Sequence, residues 1–328
     1  MLRKIQPHQY KDIIIRFQSL LALIILCFAL GLMTDIFFTS ANMLNVMRQI
    51  SVNICISVGM TLVILTGGID LSVGSILALS GAITAGLLKF GLELPFFDTF
   101  IGFTLFGAIL AGLLTGTSLG AFNGLVITKF KVPPFVATLA MLTIARGFTL
   151  LYTKGFPISG LGPKFSFLGT GWFLGIPVPV WISIMVILIA LFITNKTKLG
   201  RYIYAIGGNE SAAELSGINI KKIKTIVYAI AGGLAAIGGI IVTSRLDSAQ
   251  PNAGASYELD AIAAVVIGGT SLSGGKGTIG GTVLGAIIIG VLNNGLVLLN
   301  VSPFWQLVIK GIVILLAIII DKHNSKNQ

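Results

Sequence analysis

Charged residues are scarce in this chain. Only 10% of its 328 residues are Asp, Glu, Lys or Arg, against about 25% in an ordinary soluble domain. With 55% hydrophobic residues and a mean hydropathy of +0.98, that shortage excludes a soluble globular fold. There are two cysteines, Cys27 and Cys55, each inside an apolar run, so neither a disulfide framework nor a metal cluster is expected. The two histidines, His8 and His323, sit in the tails and are read as solvated. The 11 acids are too scattered to converge on acid–base chemistry, and a catalytic site needs convergent groups. No nucleophile stands out either. An enzyme, a resident metal and a cofactor are therefore not expected.

What is abundant is long, uninterrupted apolar sequence. Strands of an outer-membrane barrel would alternate apolar and polar residues over about ten positions, and these runs do not. The 41 glycines would weaken a soluble helical protein, but in a membrane they let helix backbones approach closely. An all-α polytopic membrane protein follows, as one integral domain over residues 1–328. Spans of about 20 apolar residues are predicted at 17–38, 44–66, 72–90, 100–128, 134–152, 178–194, 224–245, 258–270, 278–299 and 304–321, the eighth being short. Ile24, Ile25 and Leu26 before Cys27 lack the small residue of a lipoprotein cleavage site. The first span also exceeds a cleaved signal peptide in length and is expected to be retained.

A net charge of +11 suggests nucleic acid until the cations are placed. Arg3, Lys4, Lys11 and Arg16 form an N-terminal arm, and the later cations flank apolar spans, as the positive-inside rule expects. With the N-terminus in the cytoplasm, Lys129, Lys131, the 195–224 segment, Lys276, Lys322 and Lys326 all fall on that side. The opposite loops hold few cations (Lys154, Lys164 and Arg245) and carry Asp35, Glu93, Asp98 and Asp247. Both termini are expected inside.

Two stretches echo one another. Thr66-GGIDLSVGS-Ile76 and Ile267-GGTSLSGGK-Gly277 share GG-x-x-LS-x-G, and each leaves one apolar span and opens the next. Weak internal repeats of this kind mark transporters built from duplicated halves, although two Gly/Ser turns can also match by chance. Gly112, Gly116, Gly120 and Gly124 recur every four residues, as do Gly277, Gly281 and Gly285; both rows are expected to be helix-packing ridges. A phosphate loop fails in detail, because Thr270 stands where its first glycine belongs and Gly277 follows Lys276 where Ser or Thr is needed.

Polar residues inside spans are functional suspects by default. Asn53, Asn123, Asn293, Asn294 and Arg146 qualify, with Asp70, Gln306 and Lys310 near span ends. For the asparagines, interhelical hydrogen bonding and substrate contact weigh equally. Arg146 and Lys310 more often neutralise a carbonyl or reach an interface, and Asp70 can cap a helix beginning near Leu71. Paired intramembrane carboxylates, which ion-driven carriers use, are lacking. The driving force then has to enter from a partner.

The one long polar island runs from Asn195 to Lys224 and holds six cations, Lys196, Lys198, Arg201, Lys221, Lys222 and Lys224. At its centre Asn209 is a good N-cap, Glu210 suits the positive end of the helix dipole, and Gly217 is placed to end the helix. A two-turn helix is predicted there, presented like a knob for something else to grip.

Longer words carry a resemblance. They are SVN-x-x-x-x-VGMTLVILT-x-GIDLSVGS over 51–75, LGRYIYA-x-GGNE over 199–210, LSGIN at 215–219, SAQP at 248–251, YELDAIAAVV-x-GGTSL-x-GGKG over 257–277 and LNNGL at 292–296. On these the chain resembles the permease subunits of bacterial ABC sugar importers over nearly its whole length, with GRYIYA and SAQP inclining it toward the ribose branch. The resemblance implies a ten-span importer fold like that of vitamin B12 permeases, in the bacterial inner membrane. It also implies a homodimeric pore, a separate ATPase subunit and an extracytoplasmic sugar-binding protein. The island then becomes the ATPase-coupling segment between a first half (17–194) and a second half (225–328), with Gly207, Gly208, Asn209, Glu210, Ala213, Leu215, Ser216, Gly217 and Ile218 as its docking residues. A neutral sugar needs amides and hydroxyls, so Asn53, Asp70, Ser72, Asn123, Asn293 and Asn294 are the expected pathway residues. Another pentose or hexose, an autoinducer sugar, a nucleoside, or a secondary carrier remain as alternatives.

Overall fold

The computed structural model describes residues 7–94 and 99–326. Arg3 and Lys4 of the basic arm, Asp98, and the side chains of His8 and His323 lie outside the described residues. The chain is mostly helical. In order it forms α1 (Pro7–Met33), α2 (Ser40–Leu65), α3 (Val73–Phe90), β1 (Leu92–Leu94), β2 (Thr99–Ile101), α4 (Leu105–Lys129) and α5 (Pro134–Thr153). Then come β3 (Ile158–Ser159), α6 (Pro163–Thr170), β4 (Trp172–Phe173), β5 (Ile176–Pro177), α7 (Val178–Lys196), α8 (Lys198–Gly208) and α9 (Glu210–Leu215). The last elements are α10 (Ile220–Leu246), β6 (Ser248–Ala249), α11 (Tyr257–Ile267), α12 (Ile279–Leu298) and α13 (Pro303–Lys326).

Seven helices among the described residues are long and apolar enough to cross a membrane: α2, α3, α4, α5, α7, α10 and α12. The other three predicted spans fall on α1, α11 and α13. The described apolar parts of α1 and α13 are shorter, Ser19–Met33 and Pro303–Leu316. Helix α11 has 11 residues, about 16 Å at the helical rise, roughly half of a bilayer core.

Helix α2 is hydrophobic all round because it is buried all round. From Ile50 to Thr66 every residue is buried, and α10, α12, α11 and α7 pack around it. The first glycine row acts as the spacing predicts. Gly116 abuts the Gly232 carbonyl, Gly120 the Tyr228 carbonyl and Gly124 the Thr225 backbone, so α4 lies directly on α10, while Gly112 meets Thr84 of α3. In the second row Gly285 abuts Ala264 of α11, Gly281 abuts Gly268 just after that helix, and Gly277 precedes α12. A Cβ on Gly120 would sit 2.1 Å from the Tyr228 carbonyl oxygen. Gly120→Ala is accordingly expected to cost about 1–3 kcal/mol, the usual toll of overpacking, whereas Gly280→Ala, with nothing within 4 Å, is expected to be neutral. Thermal unfolding in detergent checks both.

Two boundaries depart from the predicted ones. Helix α3 starts at Val73 rather than Leu71, and its preceding residue is Ser72. Asp70 does not cap it; its Oδ1 accepts from the Ser72 N–H at 2.9 Å, a turn closed before the helix begins. The predicted loop at 153–177 holds α6 and the β4–β5 hairpin, and its β3 pairs antiparallel with distant β6. Pro133 and Pro134 open α5 as expected, where the missing N–H costs nothing.

The short length of α11 has a geometric cause. Thr243 of α10 lies at Gly81, Gly239 lies at Leu77, yet Gly254 lies against Gly74, all on α3. After leaving α10 the chain therefore folds back along α3 by about 10 Å, the length of seven helical residues. Residues 250–256 form a descending non-helical hook, and α11 begins at its bottom.

Candidate functional site

The predicted knob is present and well built. Asn209 takes extended backbone angles (φ −158°, ψ 103°), and its Oδ1 accepts from the Ala212 N–H at 2.9 Å. At the other end Gly217 adopts φ +84°. The Ile218 N–H donates to the Ala213 carbonyl at 3.1 Å and the Gly217 N–H to the Glu214 carbonyl at 2.9 Å, the Schellman closure that a left-handed glycine permits. Ala213 is the buried foot of α9, and Leu215 is 90% exposed. Gly208, Ser216 and Gly217 are exposed beside it, and Ile218 is half-buried. Lys224 Nζ meets Glu210 Oε2 at 2.7 Å, tying α9 to the first turns of α10. A groove of about 360 Å³ flanks this pair, lined by Lys131, Pro133, Glu214 and Lys221 among others.

Upstream, the polar island contains an element that composition concealed. Helix α8 is amphipathic, burying Gly200, Ile203 and Ile206 under a polar outer face, so its cations mask a helical period. Its last turn is pressed into the body. A Cβ on Gly207 would lie 1.8 Å from the Leu65 carbonyl oxygen and 2.3 Å from the Gly275 nitrogen. Gly207 is thus a packing residue facing inward, whereas Gly208 and Asn209 after it are exposed. The Gly275 N–H donates to the Leu65 carbonyl at 3.0 Å, and Tyr204 Oη donates to the Gly277 carbonyl at 2.8 Å. Gly274 in turn approaches the Gly67 nitrogen. The two echoing GG-x-x-LS-x-G turns therefore touch each other, and α8 sits on both. The turns that open α3 and α12 therefore meet at the last turn of α8.

The expected pathway residues divide into three groups. Asp70, Ser72 and Asn123 form one cluster: Ser72 Oγ donates to Asp70 Oδ1 and accepts from Asn123 Nδ2 at 2.9 Å. It joins the α2–α3 turn to α4. Burial pushes the Asp70 carboxyl above the usual carboxylate range, with the two Ser72 hydrogen bonds acting in the opposite sense. Its Oδ2 and the Tyr228 hydroxyl are buried without a hydrogen bond. Asn293 and Asn294 are braces on α12. Asn294 exchanges two hydrogen bonds with Asn42, at 2.9 and 3.1 Å, and Asn293 Nδ2 donates to Asp260 Oδ2 at 3.2 Å. Asn53 stands apart, buried on α2 and with no side-chain hydrogen bond recorded among the described residues.

Asp260 was missed from sequence. It is 4% exposed, and Lys310 of α13 pairs with it at 2.9 Å, so Lys310 neutralises a carboxylate rather than a carbonyl. A charge inside an apolar run was the available signal; the acid run of YELD at the head of α11 obscured it. Arg146 does hold carbonyls, donating from Nη1 to Pro251 O at 2.7 Å and Ala253 O at 2.9 Å.

Among the described residues, seven helices are long and apolar enough to cross a membrane, and a capped polar helix stands on the loop before α10. The chain belongs to the family described as branched-chain amino acid transport system / permease component, which matches residues 42–318. It is 52% identical to the ribose import permease protein RbsC of Haemophilus influenzae over 93% of both chains. The protein of the same name from Bacillus subtilis is also 52% identical, over 93% of this chain and 92% of its own length. The D-allose transport system permease protein AlsC of Escherichia coli is 41% identical over 94% of this chain. No solved structure matches the chain.

Proposed function

We propose that this chain is the membrane-spanning subunit of an ATP-driven ribose importer, with ATP hydrolysis left to a separate subunit. The observation that carries this reading is 52% identity to ribose import permeases across 93% of the chain. The D-allose relative at 41% favours a related neutral monosaccharide as the second reading. An extracytoplasmic binding protein delivers the sugar, and two copies of the chain form the pore in a bacterial inner membrane. Residues 1–328 then act as one transmembrane domain with ten spans and the fold of vitamin B12 permeases. In that arrangement α1 and α13 complete the bundle, the hook and α11 together make the eighth span, and both termini face the cytoplasm. The groups at 208–218 meet the ATPase, and Gly207 passes the movement inward. Of the six pathway residues, Asn53 keeps a free amide for a hydroxyl, while the other five hold the helices in place.

Proteoliposomes holding the permease, its ATPase and its binding protein test this. Labelled ribose is expected to accumulate only with internal ATP and with the binding protein outside. Accumulation without ATP or an ATPase subunit, in the presence of ionophores, overturns the importer; accumulation of another sugar with ribose excluded overturns the cargo.

A further inference from the structure

We propose that the hook at 250–256 is a sugar-contact element, with the Asn252 amide and the Ser256 hydroxyl as the groups that meet a neutral polyol. This rests on the importer reading above. The backbone here is non-helical yet lies about 10 Å down α3, by the helical rise over the seven residues from Gly81 to Gly74. At such a depth irregular backbone persists only where protein buries it or water lines it.

The chain itself accounts for most of the hook. Arg146 holds the carbonyls of Pro251 and Ala253, and Gly254 is pressed against Gly74. Asp247, which starts the descent at φ +48°, accepts on Oδ1 from the Leu161 N–H and from Ser166 Oγ, each at 3.0 Å. Gly254 and Ser256 both take positive φ, 68° and 66°. For serine this left-handed state is a strain that persists only where surrounding contacts impose it.

Those contacts leave Asn252 and Ala255 exposed and Ser256 half-buried. Asn252 is exposed between buried Pro251 and half-buried Ala253. Neither its amide nor the Ser256 hydroxyl has a side-chain hydrogen bond recorded among the described residues. In this reading the surface faces water in the transport path, since a lipid-facing amide would be costly. One amide and one hydroxyl select a ligand rich in hydroxyls, and the nearby Glu258 carboxylate, half-buried against Gly74, can accept from a further hydroxyl. Arg146 is a positioning residue for this edge.

Asn252→Cys and Leu188→Cys, each with Cys27 and Cys55 replaced by serine, test the placement in the assembled importer. Leu188 is 61% exposed on α7 and serves as the lipid-facing control. A membrane-impermeant sulfonated methanethiosulfonate is expected to label Asn252→Cys at least about tenfold faster than Leu188→Cys, since thiol reactivity follows access to water. Cycling with ribose, binding protein and ATP should slow that labelling. Equal, slow labelling of both overturns the proposal. In uptake assays Asn252→Ala is expected to raise the ribose KM about tenfold, the equivalent of about 1.4 kcal/mol, with Asn252→Gln recovering most of it; an unchanged KM also overturns it. Failure of the wild-type importer to move ribose would sink the cargo assignment instead, and the labelling contrast would stand.

Discussion

Leu215→Asp is expected to abolish transport while leaving the permease folded and inserted. The residue is 90% exposed at the tip of α9, and nothing in the chain's own packing accounts for a large apolar side chain there. Central apolar anchors of this kind carry about 2 kcal/mol or more of an interface, and a buried carboxylate in their place adds a desolvation cost. Association with the ATPase subunit should fall by at least about 100-fold, or about 2.8 kcal/mol at about 1.4 per decade. The helix itself should survive, since its cap at Asn209, its closure at Gly217 and the Glu210–Lys224 pair are untouched. Co-purification with the ATPase and ribose uptake read the effect. Full association by the variant would remove α9 as the docking element.

A second large effect is expected at Lys310, for a different reason. Its ammonium lies 2.9 Å from Asp260, whose side chain is only 5% exposed. Lys310→Ala leaves that carboxylate buried with the Asn293 amide as its remaining recorded partner. Breaking one side of a buried pair typically costs about 3–5 kcal/mol, because the surviving charge is uncompensated. Adding Asp260→Asn removes that charge, so the double variant Lys310→Met with Asp260→Asn should return to within about 1 kcal/mol of the parent. Unfolding midpoints in detergent decide it; a double variant as unstable as Lys310→Ala would mean the pair contributes packing rather than neutralisation.

Much of the fold was legible because lipid solvation acts on each segment locally. Ten apolar runs correspond to ten helices, and seven of these are long and apolar enough to span. The glycine row at 112–124 was readable as a ridge because its period equals that of the helix it packs on. The knob at 209–217 was readable because a cap, a dipole-matched acid and a terminating glycine act over only a few residues. Amphipathic α8 was hidden by its own cations, and α11 was hidden because apolar composition reports burial without reporting backbone path.

The site was less legible than the fold. Asn53, Asn123, Asn293 and Asn294 look alike in sequence, each an amide in an apolar run. Which of them is free depends on what another helix brings within 3 Å or so, the reach of a hydrogen bond. Asn42 engages Asn294, Asp260 takes the Asn293 Nδ2 donor while Asn293 Oδ1 stays buried without a partner among the described residues, and Ser72 engages Asn123. The partners are 252, 33 and 51 residues away along the chain.

Scarce charge, long apolar runs, the cation-rich island and its capped knob were therefore determined by sequence alone, because each expresses an energy that a segment meets by itself. Tertiary structure decided the rest. It joined the two echoing turns under α8, folded residues 250–256 back along α3, and left the Asn252 amide and Ser256 hydroxyl of that hook without a side-chain hydrogen bond among the described residues. Those outcomes depend on close approach between distant backbones, where the absence of a Cβ at Gly207, Gly74 or Gly254 sets whether contact is possible.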